Sequence, residues 1–211
     1  MDKRSSRGFT LVELLVAITI LAIVAVLGWR GLDAIVRARV GLTQDLEQAR
    51  GIQLAFAQMQ SDCSRVVQPS DVGGRTTLAA DSENLTLVRT VFADNQPTQL
   101  QVVAYRVRDG RLTRYESAPT RDLREIDKAW QAVLSDTVPQ GVPLQSGVGG
   151  MLVQSWFANT PGWRAMNAPP TGTTVNTTNT TNAAMPTGLQ VALQLSGHDN
   201  SMTKIFLLGA L

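Results

Sequence analysis

From Phe9 to Leu27 every position is apolar except Thr10, Glu13 and Thr19. Helical residues advance about 1.5 Å each, so this run covers roughly the 30 Å hydrocarbon core of a bilayer. Residues 9–28 are therefore read as a membrane-spanning segment. Beyond it the spacing changes. Leu32, Ile35, Leu42, Leu46, Ala49, Ile52, Phe56, Met59, Cys63 and Val66 recur mostly at gaps of three and four, with Gln44, Asp45, Glu47, Gln48 and Arg50 between them. That period describes an amphipathic continuation of the helix through residues 29–67. The first proline is Pro69, so nothing earlier forbids one helix from about Thr10 to about Val67. Gly28, Gly31, Gly41 and Gly51 each weaken it by about 1 kcal/mol relative to alanine.

After Pro69 the pattern turns to strands. Gln68 to Arg75, with Pro69, Gly73 and Gly74, reads as the turn out of the helix. Leu85 to Val91 is rich in β-branched residues and predicts a strand. Leu100–Arg108 and Arg111–Ser117 flank Asp109-Gly110, the dipeptide that suits a tight hairpin turn with positive φ angles. Arg121 to Ser135 is assigned a short helix through Ile126, Trp130, Val133 and Leu134, and Pro139, Pro143 and Gly147 to Gly150 are expected to break it off. Met151–Phe157 predicts a further strand, and Leu189–Leu195 with Met202–Leu208 a closing hairpin. Residues 167–188, dominated by Thr, Asn, Pro and Gly, have little to bury and read as a flexible surface loop. The expected fold class is α+β: a long amino-terminal helix whose outer half is covered by an antiparallel β domain of residues 68–211.

Charge orients the chain. Lys3, Arg4 and Arg7 precede the apolar run with only Asp2 against them, while Arg30, Arg37 and Arg39 on the far side are offset in part by Asp33. Basic residues stay on the cytoplasmic side, which places the amino terminus there and the bulk of the chain across the inner membrane. Overall, 19 Lys and Arg against 17 Asp and Glu leave a net charge of +2. No basic face is advertised, and no nucleic-acid partner is expected.

Catalytic and metal chemistry find little footing. Cys63 is the single cysteine and falls on the apolar stripe, so it is read as a buried small hydrophobe with no disulfide. His198, the one histidine, lies in a Ser-Gly-His-Asp-Asn turn without a nucleophile elbow or cysteine partner. One Cys and one His exclude an ordinary structural zinc site, Asp199 and Asn200 are read as turn residues, and Gly147 to Gly150 lacks the lysine of a phosphate loop. No catalytic residue, metal or cofactor is expected. Asn176 and Asn179 match the N-glycosylation pattern.

Glu13 stands out, because a carboxylate one turn into a membrane helix costs about 2 to 3 kcal/mol unless something pairs with it. Its context is Gly8-Phe9-Thr10-Leu11-Val12-Glu13 after a short basic leader, residues 1–8. This resembles the type IV prepilin signal of type IV pilins and type II secretion pseudopilins. An ordinary secretory signal would instead be cut after the apolar run, where Val26-Leu27-Gly28-Trp29 offers no small-residue site. The resemblance implies cleavage by a prepilin peptidase between Gly8 and Phe9, N-methylation of Phe9, and pairing of Glu13 with the amino terminus of a neighbouring subunit during assembly. It also implies a pilin-like form of the α+β class.

Further residues narrow the resemblance. Trp29-Arg30-Gly31-Leu32-Asp33, Met59-Gln60-Ser61-Asp62, Val107-Arg108-Asp109-Gly110-Arg111-Leu112, Trp163 and the closing Lys204-Ile205-Phe206-Leu207-Leu208 are similar to minor pseudopilin J of type II secretion, the GspJ family. Trp29 stands where a tyrosine is usual. That resemblance implies a tip complex with minor pseudopilins I and K and the major pseudopilin, anchored in inner-membrane lipid. The complex would prime a periplasmic pseudopilus for export of folded proteins across the outer membrane. A minor type IV pilin is the alternative, disfavoured by the exit motif and by the absence of a cysteine pair. An anchored periplasmic enzyme is the reading from a different class, and no catalytic constellation supports it.

Overall fold

The computed structural model describes residues 9–139, 141–158, 160–166, 185–197 and 201–209. The chain divides into two compact units, residues 1–49 and 50–211. Helix α1 (Leu11–Cys63) begins in the first and ends in the second.

In the first unit the apolar side chains of α1 are all exposed, from Leu11 through Leu27. The helix is long and apolar enough there to cross a membrane. Leu32, Ile35, Leu42 and Leu46, on the apolar stripe of the amphipathic continuation, are exposed as well. Burial begins at Ile52 and continues through Ala55, Phe56, Met59 and Cys63, the i, i+3, i+4 positions of one face.

In the second unit α1 stops at Cys63, four residues short of the expected end, because the next segment is captured by a strand. Val67 donates its amide to the Val88 carbonyl at 3.0 Å and Arg65 accepts from the Thr90 amide at 3.0 Å. Pro69–Val72 then forms a short 3-10 turn, closed by Gly73 at φ 68° and Gly74 at φ 80°. Five strands follow as an antiparallel meander in chain order: β1 (Leu78–Ala80), β2 (Asn84–Val91), β3 (Gln99–Arg108), β4 (Arg111–Glu116) and β5 (Val142–Ser146). The β3–β4 turn has Asp109 at φ 50° and Gly110 at φ 71°, the double left-handed geometry that the dipeptide predicts. Between β4 and β5 lies α2 (Leu123–Leu134), whose Asp122 cap accepts from the Arg124 amide at 2.8 Å.

Of the residues expected as a break, Pro143, Gly149 and Gly150 are strand residues and Gly147 lies between two strands. Pro143 sits in β5, the outer strand of its sheet, where a missing amide is tolerated. Gly147, at φ 72°, redirects the chain from β5 into β6 (Val148–Phe157), and Gly149 and Gly150 lie within β6. A second antiparallel sheet has the order β7-β6-β8-β9, with β7 at Thr160–Ala165, β8 at Gly188–Leu195 and β9 at Ser201–Leu207. The expected loop lies outside the described residues for 167–184, as do His198, Asp199 and Asn200.

Two apolar clusters hold this unit. The larger joins the Ile52–Cys63 face of α1 to inward residues of both sheets, including Leu85, Val103, Leu112, Val153, Leu193 and Phe206. Phe56 and Phe206 bring α1 against β9 with ring centroids 6.2 Å apart. The smaller packs α2 through Ile126 and Val133 onto the other face of the first sheet, at Val88, Val102 and Ala104.

Candidate assembly site and a buried ion cluster

The residues singled out by the sequence sit at the start of α1. Gly8 lies outside the described residues. Phe9 is 82% exposed and precedes the helix. Thr10 caps it: its Oγ1 accepts from the Glu13 amide at 3.3 Å, and its carbonyl accepts from the amides of Glu13 and Leu14 at 3.1 and 3.3 Å. Thr10-Leu11-Val12-Glu13 thus has the spacing of a capping box, and this geometry supplies one of its two hydrogen bonds. Glu13, exposed in the first turn, lies where the helix dipole favours an anion by about 0.3 to 1 kcal/mol. That contribution covers only part of the cost of placing a carboxylate in lipid.

A second arrangement was not foreseen. Asp62 is fully buried near the end of α1, on the side that faces the first sheet. Its Oδ1 accepts from Arg89 Nη1 at 2.5 Å and Arg114 Nη2 at 3.2 Å, and its Oδ2 from Tyr105 Oη at 2.5 Å and Arg114 Nε at 2.9 Å. Arg89 also donates to Gln101 Oε1 at 2.8 Å, and Gln101 in turn donates to the Ser117 carbonyl at 2.6 Å. Glu116 closes the group, 2.6 Å from Arg114 and 3.5 Å from Arg89. Two carboxylates face two guanidinium groups, so the cluster is neutral, and nearly every polar atom has a partner.

Strand periodicity creates the cluster. Leu85 and Leu87 point to α1, and Arg89 shares their parity; Val103, Tyr105 and Val107 do the same on β3, and Leu112, Arg114 and Glu116 on β4. One face of the sheet is thus apolar at one end and ionic where Asp62 arrives. Burial opposes the charged form of Arg114, but the Asp62 and Glu116 carboxylates outweigh it and raise its pKa above the ordinary value. Burial first, and then the nearby Asp62, push Tyr105 well up, so it stays protonated and donates. The same two causes, in the same order, push the Cys63 thiol up to about 12. A thiolate is unavailable there at neutral pH, in agreement with the packing role read from the sequence.

Among the described residues no group of three or more His, Cys, Asp or Glu side chains converges as a metal site would require. Asp62 is fully buried and joins α1 to β2, β3 and β4, so the cluster acts as a clasp between helix and sheet.

Comparison with known families decides the class. Residues 3–29 match the prokaryotic N-terminal methylation motif, and residues 30–208 match type II secretion system (T2SS), protein J. The chain belongs to the protein J family. A relative from Klebsiella pneumoniae, type II secretion system protein J, is 31% identical over 123 residues, which is 53% of this chain and 62% of that relative. The protein J match runs from Arg30 through the strands to β9, and the methylation-motif match contains Gly8, Phe9, Glu13 and Trp29. The α+β arrangement of long helix and antiparallel sheets is accordingly that of a member of the protein J family, and the chain spans less than two thirds of the relative it matches.

Proposed function

We propose that this chain is a minor pseudopilin that helps to form the tip of the type II secretion pseudopilus and to prime its assembly. The protein J match over residues 30–208 carries this reading, and the methylation motif ahead of it supports processing at the Gly8–Phe9 bond with methylation of Phe9. In this scheme residues 1–8 are a leader, residues 9–28 anchor the chain in the inner membrane with the amino terminus cytoplasmic, residues 29–67 continue beyond the membrane as helix up to Cys63, and residues 68–211 form a periplasmic domain. After cleavage the methylated amine of a neighbouring subunit supplies the cation that Glu13 lacks. Its partners are the prepilin peptidase, minor pseudopilins of the I and K types, and the major pseudopilin. It catalyses no reaction of its own.

The test is deletion of the gene in its own host, with complementation. Exoproteins retained in the periplasm while surface pili persist are the expected result; normal secretion with loss of pili overturns the reading in favour of a type IV pilin. In the complemented strain, Glu13→Ala should enter the membrane yet fail to join the tip complex, and normal recruitment of that variant would refute the amine pairing.

A further inference from the structure

The four outer strands of the two sheets are finished differently. β1 is three residues long, β5 contains Pro143, and β7 contains Pro161 and Arg164. Short length, proline and charge are the usual means of keeping a sheet from adding a further strand. β9 has none of them beyond Lys204. It runs seven residues without proline, and Met202, Ile205 and Leu207 are 43%, 56% and 69% exposed.

The ladder shows which backbone groups are free. Leu208 donates its amide to the Thr187 carbonyl at 3.1 Å, and the β8–β9 register continues without a shift from Gly188↔Leu207 to Gln194↔Ser201. In an antiparallel pair, alternate residues direct their amides and carbonyls to opposite sides. Leu208, Phe206, Lys204 and Met202 therefore bond to β8, while Leu207, Ile205, Thr203 and Ser201 turn theirs outward, where no described residue pairs with them. We propose that β9 is a docking edge that adds an extended antiparallel strand from another protein, with apolar side chains beside Ile205 and Leu207 and a carboxylate beside Lys204.

Charge selects this occupant over a second copy. Lys204 is the one charged residue in β9 and lies on the core side, its Nζ 5.8 Å from the centroid of the Phe206 ring. The two-fold register that would pair all seven residues with another β9 sets Lys204 opposite Lys204, and like charges directly opposite are destabilising. A carboxylate at that position converts the repulsion into an attraction.

The experiment uses the full-length chain in detergent micelles and the acetylated, amidated peptide Val-Thr-Val-Glu-Thr-Val-Thr, with a version carrying Lys for Glu as control. Amide hydrogen exchange at Thr203, Ile205 and Leu207 should slow with the Glu peptide and much less with the Lys peptide. Thr203→Pro removes an outward amide and none bonded to β8, so it should weaken binding by about fivefold with little change in Tm. Methylating the peptide amides that face β9 should do the same without altering the protein. The proposal fails if millimolar Glu peptide leaves these amides unprotected, if the Lys peptide protects them equally, or if peptide methylation is without effect. Protection that grows with protein concentration alone would replace it by pairing between copies.

Discussion

Asp62 holds a buried carboxylate between two arginines and a tyrosine, and its worth lies mostly in what its removal would expose. Asp62→Ala leaves Arg89 and Arg114 largely buried with only the half-exposed Glu116 as counter-charge. Breaking such a group costs about 3 to 5 kcal/mol, which urea unfolding followed by tryptophan fluorescence should register. The neighbouring Cys63 offers a check on burial. Its folded-state pKa of about 12 exceeds the ordinary 9.0, so the associated stability is fully present below about pH 9 and falls as pH rises toward 12. At pH 8 iodoacetamide should therefore label the native thiol far more slowly than the urea-unfolded one; equal rates would contradict the packing. Half of this site could be read from the sequence. Arg89 shares the inward parity of Leu85 and Leu87, which marks a buried cation, but its partner lies 27 residues away and Arg114 lies 52 residues from Asp62. Local period gives direction within a strand and says nothing of what arrives opposite it.

Elements with strong local chemistry were legible. The Asp109-Gly110 turn is one: Gly110→Val forces a β-branched residue to φ 71° and should lower stability by about 1 to 2 kcal/mol, measured as a fall in Tm with the fold retained. The helix from Leu123 was readable in outline, and Asp122 supplies the cap. What anchors its far end was not. Asp136, itself at φ 56°, pairs with Arg106 and with Arg108 at 2.5 Å, and Arg106 also donates to the Val133 carbonyl. The hydrogen bond from Arg108, opposed by slight desolvation and aided by both positive charges, holds the Asp136 pKa below its ordinary 3.8. A depressed carboxyl stabilises above that ordinary value and loses its contribution as pH falls through the lower folded value. Amide exchange at the end of α2 should accordingly accelerate, relative to the intrinsic rate, below about pH 4 while the centre of β3 stays protected. β1 and β5 escaped the sequence because one is too short to show a period and the other carries a proline that is tolerated only at a sheet margin.

At the scale of the molecule, the amino-terminal motif was legible and the division of the strands was not. Gly8, Phe9 and Glu13 lie within the matched methylation motif, and the proposed cleavage has a direct check. Gly8→Val should leave a precursor longer by the leader, visible by mass spectrometry, whereas normal processing would move the cleavage site elsewhere. That the strands of the described residues form two sheets sharing one helix face depends on β6 pairing with β8 across residues 158–187 and on Gly147 turning the chain between sheets. Neither leaves a periodic trace.

The end of α1 is fastened from several sides at once. The Cys63 carbonyl accepts from the Gly209 amide at 3.1 Å just beyond β9, Val67 and Arg65 are bonded to β2, and Asp62 is gripped by β2, β3 and β4. These attachments act in parallel. Drawing the end of α1 out of the unit of residues 50–211 would therefore load all of them together instead of one strand at a time.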